Sequence, residues 1–432
     1  MISPFAPKSS SSHPSEAQAE ITLSICVPTY NRSAFLEYLF PLIRAWGESW
    51  DFTYEIVVSD NHSPDNTAEV VERFRAEGLP IQYFKQEENK VLSNLLSAYH
   101  RARGKYLIYL ADDDLLIPEA VADNIHFMEE NPEIRACYTP WEIYDDLNKV
   151  SGGLYYNQPQ DLQIFKPGDE LNLIGFIVEN HIFPEIAIYR ADAVRQIVSA
   201  PRFCYWAFSY IAAVASAGPV AFRRTPHYRS VTLTPVMPNR NQAGVDDAMT
   251  IWDNYRGGIE YMVFSLLRRR NLVLDTEART AFRSLIDHFV ETRMRVALRL
   301  WLERKDYTRA YEIISRLSHL DASVLESFDF MDKLPLLAMA QTLARFANGV
   351  AEIERLMVAG VEDGQALGHL LRDAGLERRI LVIPPPAVPS AKNLRTSIVF
   401  ISREDLRQSF VDQGYAPGLI LSEQDIRSTM LL

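Results

Sequence analysis

Most of the features that quickly classify a chain are scarce in this sequence. Only three of its 432 residues are cysteine, Cys26, Cys137 and Cys204, widely spaced and without a CxxC pair; neither a disulfide framework nor a zinc site is indicated. Basic charge is short too: 44 Lys and Arg against 56 Asp and Glu leave a net charge of -12. That is the wrong balance for a surface that neutralises nucleic-acid phosphates. The run Arg268-Arg269-Arg270 reads as the solvated last turn of a helix, a contact with anionic lipid being the alternative. No apolar run approaches the ~18 residues of a membrane-spanning helix. The N-terminus opens on Pro, Ser and Ala, not on a basic stretch and an apolar run, so no secretory signal is expected. These absences point to a cytoplasmic protein. A peripheral contact at the inner face of a membrane and a homo-oligomeric state stay open.

What is present is ordinary globular composition, 47% hydrophobic and 23% charged, in a chain long enough for two or three domains. Residues 1–20 are rich in Pro and Ser and cannot bury enough apolar surface to order themselves, so a disordered tail is expected there. From Ile21 the texture changes. Short apolar strands (Leu23 to Val27, Glu55 to Ser59, Ile81 to Phe84, Tyr106 to Leu110) alternate with helix-periodic segments (Phe35 to Trp46, Thr67 to Ala76, Leu92 to Ala102). Strands separated by helices imply a largely parallel sheet covered on both faces. This α/β region is expected to run over 21–240 and to end in the Pro-interrupted segment around Pro226 and Pro235. Residues 246–360 read as a helical domain, and 361–432 as a small α/β segment without a Gly-rich phosphate loop.

In such sheets ligands bind at the carboxyl ends of the strands, and three polar segments fall there. The sharpest is Ala111-Asp112-Asp113-Asp114-Leu115, directly after an apolar strand. Three consecutive carboxylates repel one another unless solvated or neutralised, and a divalent cation bound through oxygen neutralises them well; the plain alternative is an exposed acidic turn. The second is Ser59-Asp60-Asn61-His62-Ser63-Pro64-Asp65-Asn66-Thr67, whose carboxylate and amide groups suit a nucleobase edge or ribose hydroxyls, or equally an Asx-turn capping the next helix. The third, Val27-Pro28-Thr29-Tyr30-Asn31-Arg32, offers a rigid turn, an aromatic face and polar side chains.

In this order, together with Asn89 and Gly104-Lys105-Tyr106, these segments resemble the family 2 glycosyltransferases, enzymes of the GT-A fold that transfer sugars from nucleotide donors. The resemblance covers residues 22 to about 230. It implies a GT-A-type (Rossmann-like) mixed sheet with helices on both faces; the helical domain and the small C-terminal α/β segment read from the pattern follow it. It further implies a nucleotide pocket lined by Pro28, Thr29, Tyr30 and Asn31, base contacts from Asp60 and Asn61, and a DxD-type element at Asp112 to Asp114. There Asp113 would meet the ribose or diphosphate, and Asp114, with Asp112, would ligate Mn²⁺ or Mg²⁺. His227 and Arg229 stand where related enzymes place a segment that covers the diphosphate; a surface loop is the alternative.

An inverting transfer also needs a general base for the acceptor hydroxyl. The family supplies it from an acidic pair before a helix that ends in Gly; here that helix ends at Gly218 and the expected positions hold Trp206 and Ala207. The substitute candidate is Glu185, in His181-Ile182-Phe183-Pro184-Glu185-Ile186, with a salt bridge to Arg190 as the structural alternative. Aromatics are dense nearby, among them Tyr155, Tyr205, Trp206 and Tyr210, suited to stacking on an acceptor sugar or to ordinary core packing. The expected activity is metal-dependent, inverting transfer from a nucleoside-diphosphate sugar to a glycan, lipid-linked or protein-linked acceptor, as in polysaccharide synthesis. The rival is a non-catalytic nucleotide-sugar-binding module in a larger assembly. A nucleotidyltransferase on a similar fold would need a Gly-rich basic loop that Pro28 to Ser33 does not supply.

Overall fold

A computed structural model describes residues 20–89, 94–237, 250–326 and 332–428. Nearly all of the expected N-terminal tail, and the expected start of the helical domain at 246, lie outside the described residues. Those described form two compact units.

The first unit is built on an eight-stranded sheet. Its elements in chain order are β1 (Leu23–Thr29), α1 (Ser33–Glu48), β2 (Tyr54–Asp60), α2 (Thr67–Ala76), β3 (Ile81–Lys85), α3 (Asn94–Arg101), β4 (Tyr106–Tyr109), β5 (Leu115–Leu116), α4 (Pro118–Glu130), β6 (Ala136–Tyr138), β7 (Glu142–Asp145), β8 (Val150–Leu154), β9 (Leu162–Phe165), α5 (Glu170–Glu179), β10 (Ala187–Arg190), α6 (Ala191–Val194), α7 (Trp206–Ala217), β11 (Val220–Arg223) and β12 (Tyr228–Leu233). The strand order is β3-β2-β1-β4-β10-β6-β11-β9. β1 to β4 are mutually parallel, while β10 runs antiparallel to both β4 and β6, so the sheet is mixed. Five consecutive residues of β1, Leu23 to Val27, are buried, which requires cover on both faces and explains why these strands read as unbroken apolar runs.

The sheet also depends on one close approach. A Cβ at Gly104 would lie 2.7 Å from the backbone nitrogen of Ser24, so only glycine lets the turn before β4 lie against β1. A second, smaller sheet has the order β5-β12-β7-β8, with β12 antiparallel to β5 and parallel to β7. Helix α8 (Trp252–Arg269), from Asp253 onward, belongs to this unit, as does the start of α9 (Thr276–Glu303) as far as Phe289.

The second unit contains α10 (Tyr307–Leu320), α11 (Leu334–Gly349) and a four-stranded parallel sheet of β13 (Arg355–Ala359), β14 (Leu381–Ile383), β15 (Ser397–Ile401) and β16 (Ile420–Ser422), in the order β14-β13-β15-β16. Residues 355–359 read from sequence as the end of a helix. They form a strand because pairing with β15 and burial of Leu356 and Met357 outweigh the helix preference of Arg, Leu, Met and Ala. No helix among the described residues is long and apolar enough to cross a membrane.

Candidate active site

Parallel pairing sets the geometry. Thr29 lies opposite Asp60, and Cys26 opposite Tyr109, so the loops after β1, β2 and β4 leave the same edge of the sheet. They are stitched together by hydrogen bonds. The Thr29 hydroxyl donates to Asp112 Oδ2 at 2.6 Å, and Arg32 donates to Asp113 Oδ2 at 3.0 Å. Asn31, in the left-handed region at φ 54°, turns its backbone N–H onto Ser63 Oγ at 2.8 Å, and the Ser33 N–H donates to Asp65 Oδ2 at 3.0 Å. Pro28 lies past the last β1 residue paired with β4, so its missing N–H breaks no bond on that side.

The residues expected on the nucleotide differ in exposure. Tyr30 is 45% exposed, whereas Asp60 is fully buried. Its two carboxylate oxygens accept from the Ser63 N–H at 2.8 Å and from the Tyr83 hydroxyl at 2.6 Å. Burial, and then the hydrogen bond to Asp60, push the Tyr83 hydroxyl well above its ordinary pKa. Asp60 thus braces its loop from below. Asn61 donates from Nδ2 to Asn89 Oδ1 at 2.7 Å.

The three consecutive aspartates are held differently: Asp112 accepts from a hydroxyl, Asp113 forms an ion pair and Asp114 has a two-point anchor. Asp114 Oδ2 accepts from the Tyr228 hydroxyl and Oδ1 from the Val231 N–H, both at 2.8 Å. The Tyr228 oxygen in turn accepts from the Ala111 N–H at 3.1 Å. Charge-assisted bonds of this kind are worth about 1.5–3 kcal/mol each. Strand β12 is therefore fastened to the acidic turn by Tyr228, whose ring also stacks on Tyr109 at 6.2 Å. Burial raises the Tyr109 pKa, and Glu185, Asp114, Asp113 and Asp112 raise it further; this tyrosine lies in the field of all four carboxylates.

Glu185 reaches that neighbourhood because β10 runs antiparallel to β4, with Ile188 opposite Ile108. The residues just before β10 therefore arrive at the carboxyl end of β4. The Tyr205 hydroxyl donates to Glu185 Oε2 at 2.6 Å. Arg190, the alternative partner, instead directs its guanidinium to the carbonyl oxygens of Ile134 and Met128. Trp206, at the first position of α7, meets Tyr109 edge-on at 6.3 Å, and Ala207 is fully buried; the start of this helix has no carboxylate.

His227 and Arg229 are not brought onto this edge. The ring of His227 is completely buried, with Nδ1 2.9 Å from Thr139 Oγ1 and 3.4 Å from Asn124 Nδ2. Desolvation, and then the Arg223 charge, push its pKa down to about 3. It is a neutral core residue and not a diphosphate contact. Arg229 forms an ion pair with Glu142 at 2.7 Å and lies over the Tyr144 ring at 4.4 Å. The residue of this segment that reaches the acidic turn lies between them. Tyr228, the first residue of β12, places its hydroxyl on the acidic turn. Tyr205, expected only as a stacking aromatic, instead binds Glu185, and Arg32, expected only as part of its loop, pairs with Asp113.

Among the described residues no group of three or more His, Cys, Asp or Glu is arranged to hold a metal by itself. The donor set still suits Mg²⁺ or Mn²⁺, since a hard cation at a nucleotide site takes one or two carboxylates and completes its shell from phosphates and water.

Residues 24–198 match the family model "Glycosyl transferase family 2". Abequosyltransferase RfbV of Salmonella typhimurium is 32% identical over 117 residues, 27% of this chain and 35% of that protein. The GalNAc(5)-diNAcBac-PP-undecaprenol beta-1,3-glucosyltransferase of Campylobacter jejuni is 34% identical over 103 residues, 23% of this chain and 32% of that protein. The chain thus spans about a third of the length of these two relatives. Among solved structures, S. aureus TarS 1-349 in complex with UDP-GlcNAc aligns with a TM-score of 0.44 at 15% identity, over 74% of this chain and 85% of that one. With the mixed sheet and its acidic edge, the match over 24–198 identifies the N-terminal half of the chain as a family 2 glycosyltransferase domain.

Proposed function

We propose that this protein is an inverting glycosyltransferase that uses a nucleoside-diphosphate sugar and Mn²⁺ or Mg²⁺. The observation that carries the reading is the convergence of three polar loops, after β1, β2 and β4, on one sheet edge that Glu185 also reaches. The exposed ring of Tyr30 is suited to a nucleobase face, and the loop braced by Asp60, carrying Asn61, is suited to its edge and the ribose. Asp112 and Asp113 take the diphosphate side. Asp114, first expected to ligate the metal, is better suited to anchoring because β12 donors occupy both of its oxygens. A bound divalent ion would offset the charge that develops on the departing nucleoside diphosphate.

Glu185 accepts the proton of the acceptor hydroxyl as that oxygen bonds to the anomeric carbon. The bond from the anomeric carbon to the diphosphate oxygen breaks, and its electron pair leaves with the nucleoside diphosphate. One displacement inverts the anomeric configuration. The rival reading, a non-catalytic binding module, draws on the absent acidic pair at Trp206 and Ala207; a carboxylate beside the same edge removes its main support. The Campylobacter relative is named for a lipid-linked glycan, which makes that the first acceptor class to test, ahead of free glycans and protein-linked acceptors.

Thermal unfolding against UDP, GDP, CDP and dTDP and their hexose conjugates, with Mn²⁺, Mg²⁺ or EDTA, tests the donor site. A ligand that binds only the folded state raises the midpoint. A metal-dependent rise with one nucleotide is expected; no rise with any of them would refute the proposal.

A further inference from the structure

The segment that carries Tyr205 has little regular structure of its own, and it is held by a helix beyond the region the family model matches. Helix α8 turns Gly257 and Gly258 toward it. A Cβ at Gly257 would lie 2.4 Å from the backbone oxygen of Phe203; one at Gly258 would lie 2.9 Å from Phe208 Cδ2 and 3.1 Å from the backbone oxygen of Tyr205. Glycine is a poor helix former, so two in one turn against a backbone mark an approach that no side chain permits.

Direct bonds complete the grip. The Tyr205 N–H donates to the Asn254 carbonyl at 2.7 Å, and Cys204 Sγ lies 3.5 Å from the Gly257 carbonyl. Tyr255 of the same helix is buried and closes edge-on against the Tyr205 ring at 5.1 Å and against Phe183 at 5.0 Å. With backbone and ring both fixed, the phenol hydroxyl is held 2.6 Å from Glu185 Oε2.

We propose that Tyr205, locked in place by α8, is the positioning residue for the Glu185 carboxylate, so that the catalytic unit extends through α8. The inference rests on Glu185 being the base. A loop carboxylate samples several rotamers, whereas proton abstraction requires one, within hydrogen-bond reach of the acceptor hydroxyl. A donor on one oxygen selects that rotamer. The position one residue before the missing acidic pair thus serves the reaction indirectly: Tyr205 reaches across to a carboxylate beside the neighbouring strand β10.

The test compares Y205F, E185Q and the double variant in the full chain. Each is incubated with UDP-, GDP-, CDP- and dTDP-hexoses and a lipid-linked glycan as acceptor, with water taking its place in a parallel hydrolysis assay; released nucleoside diphosphate is measured, and donor binding is read by thermal shift. Y205F keeps the ring and its packing and removes only the hydroxyl. It should lower kcat by about 10- to 100-fold with donor binding unchanged. Added to E185Q, it should cost less than about twofold more, because residues that act as one unit are not additive. G258A, which displaces the Tyr205 backbone, should reproduce the kcat loss of Y205F.

Wild-type kcat in Y205F, or the same loss from Y205F in both backgrounds, overturns the role of Tyr205 and leaves Glu185 as the base. Wild-type turnover in E185Q overturns both. So does a wild-type protein that turns over none of these donors.

Discussion

Replacing His227 with Gln gives the sharpest test of how the segment beside the acidic turn is built. With its pKa pushed down to about 3 from an ordinary 6.5, the folded ring stays neutral over a range in which the unfolded ring takes up a proton. The unfolded state then binds more protons, so stability falls as pH falls below 6.5 and stops falling near pH 3. At ~1.4 kcal/mol per pH unit, the loss from this one group is about 2 kcal/mol between pH 7 and pH 5, and about 5 kcal/mol by pH 3. Arg223 donates to Asn124 Oδ1 at 2.7 Å, which orients the amide so that Nδ2 faces His227 Nδ1, and Nε2 is buried with no hydrogen-bond partner among the described residues. Urea unfolding of the wild type and H227Q at pH 7 and pH 5 measures the difference, and ring ¹⁵N shifts of histidine-labelled protein report the protonation state directly. Equal pH sensitivity in the two proteins, or a His227 ring that titrates near pH 6, would refute the assignment and return the residue to the candidates for phosphate contact.

The aspartates should separate by role. D114N removes a charge held by two donors from β12 and should cost about 1–3 kcal/mol of stability without ligand, seen in the melting midpoint. D113N should leave that midpoint nearly unchanged and abolish the extra stabilisation that Mn²⁺ gives to nucleotide binding; equal behaviour of the two would sink the division of labour. At the far end of the strands, G104A drives a methyl group into the Ser24 backbone. It should destabilise the N-terminal unit by about 1–3 kcal/mol in urea titrations, and a wild-type unfolding midpoint would contradict the close approach.

The acidic edge was legible because it is local. An unbroken apolar strand followed by Asp112, Asp113 and Asp114 announces both the buried strand and its polar end, and the same holds for the strand before Asp60. Parallel strands joined by right-handed crossovers must then carry these ends to one edge. Farther along the chain, at the segment that meets this edge from β12, the local pattern does not decide the contacts. His227 and Tyr228 are sequence neighbours, yet one ring is buried before β12 begins and the other opens the strand onto the acidic turn, which depends on pairing with β5 and β7. Residues 355–359 failed for a related reason, since the partner that makes them a strand, β15, lies about forty residues downstream.

By itself, then, the sequence determined the alternation of strand and helix over the N-terminal half, the shared edge of Pro28 to Asn31, Asp60 and Asp112 to Asp114, and the absence of an acidic pair at Trp206 and Ala207. These follow from periodicity, strand-end chemistry and chain connectivity, which act over a few residues or a single crossover. Only the tertiary structure decided that β10 enters antiparallel beside β4 and brings Glu185 to the same edge, that Tyr205 holds this carboxylate under the grip of α8, and that Tyr228 and Val231 anchor Asp114. Each of these contacts joins residues 20 to 117 positions apart. Their partners are selected by what else the folded core leaves in reach, which no local pattern records.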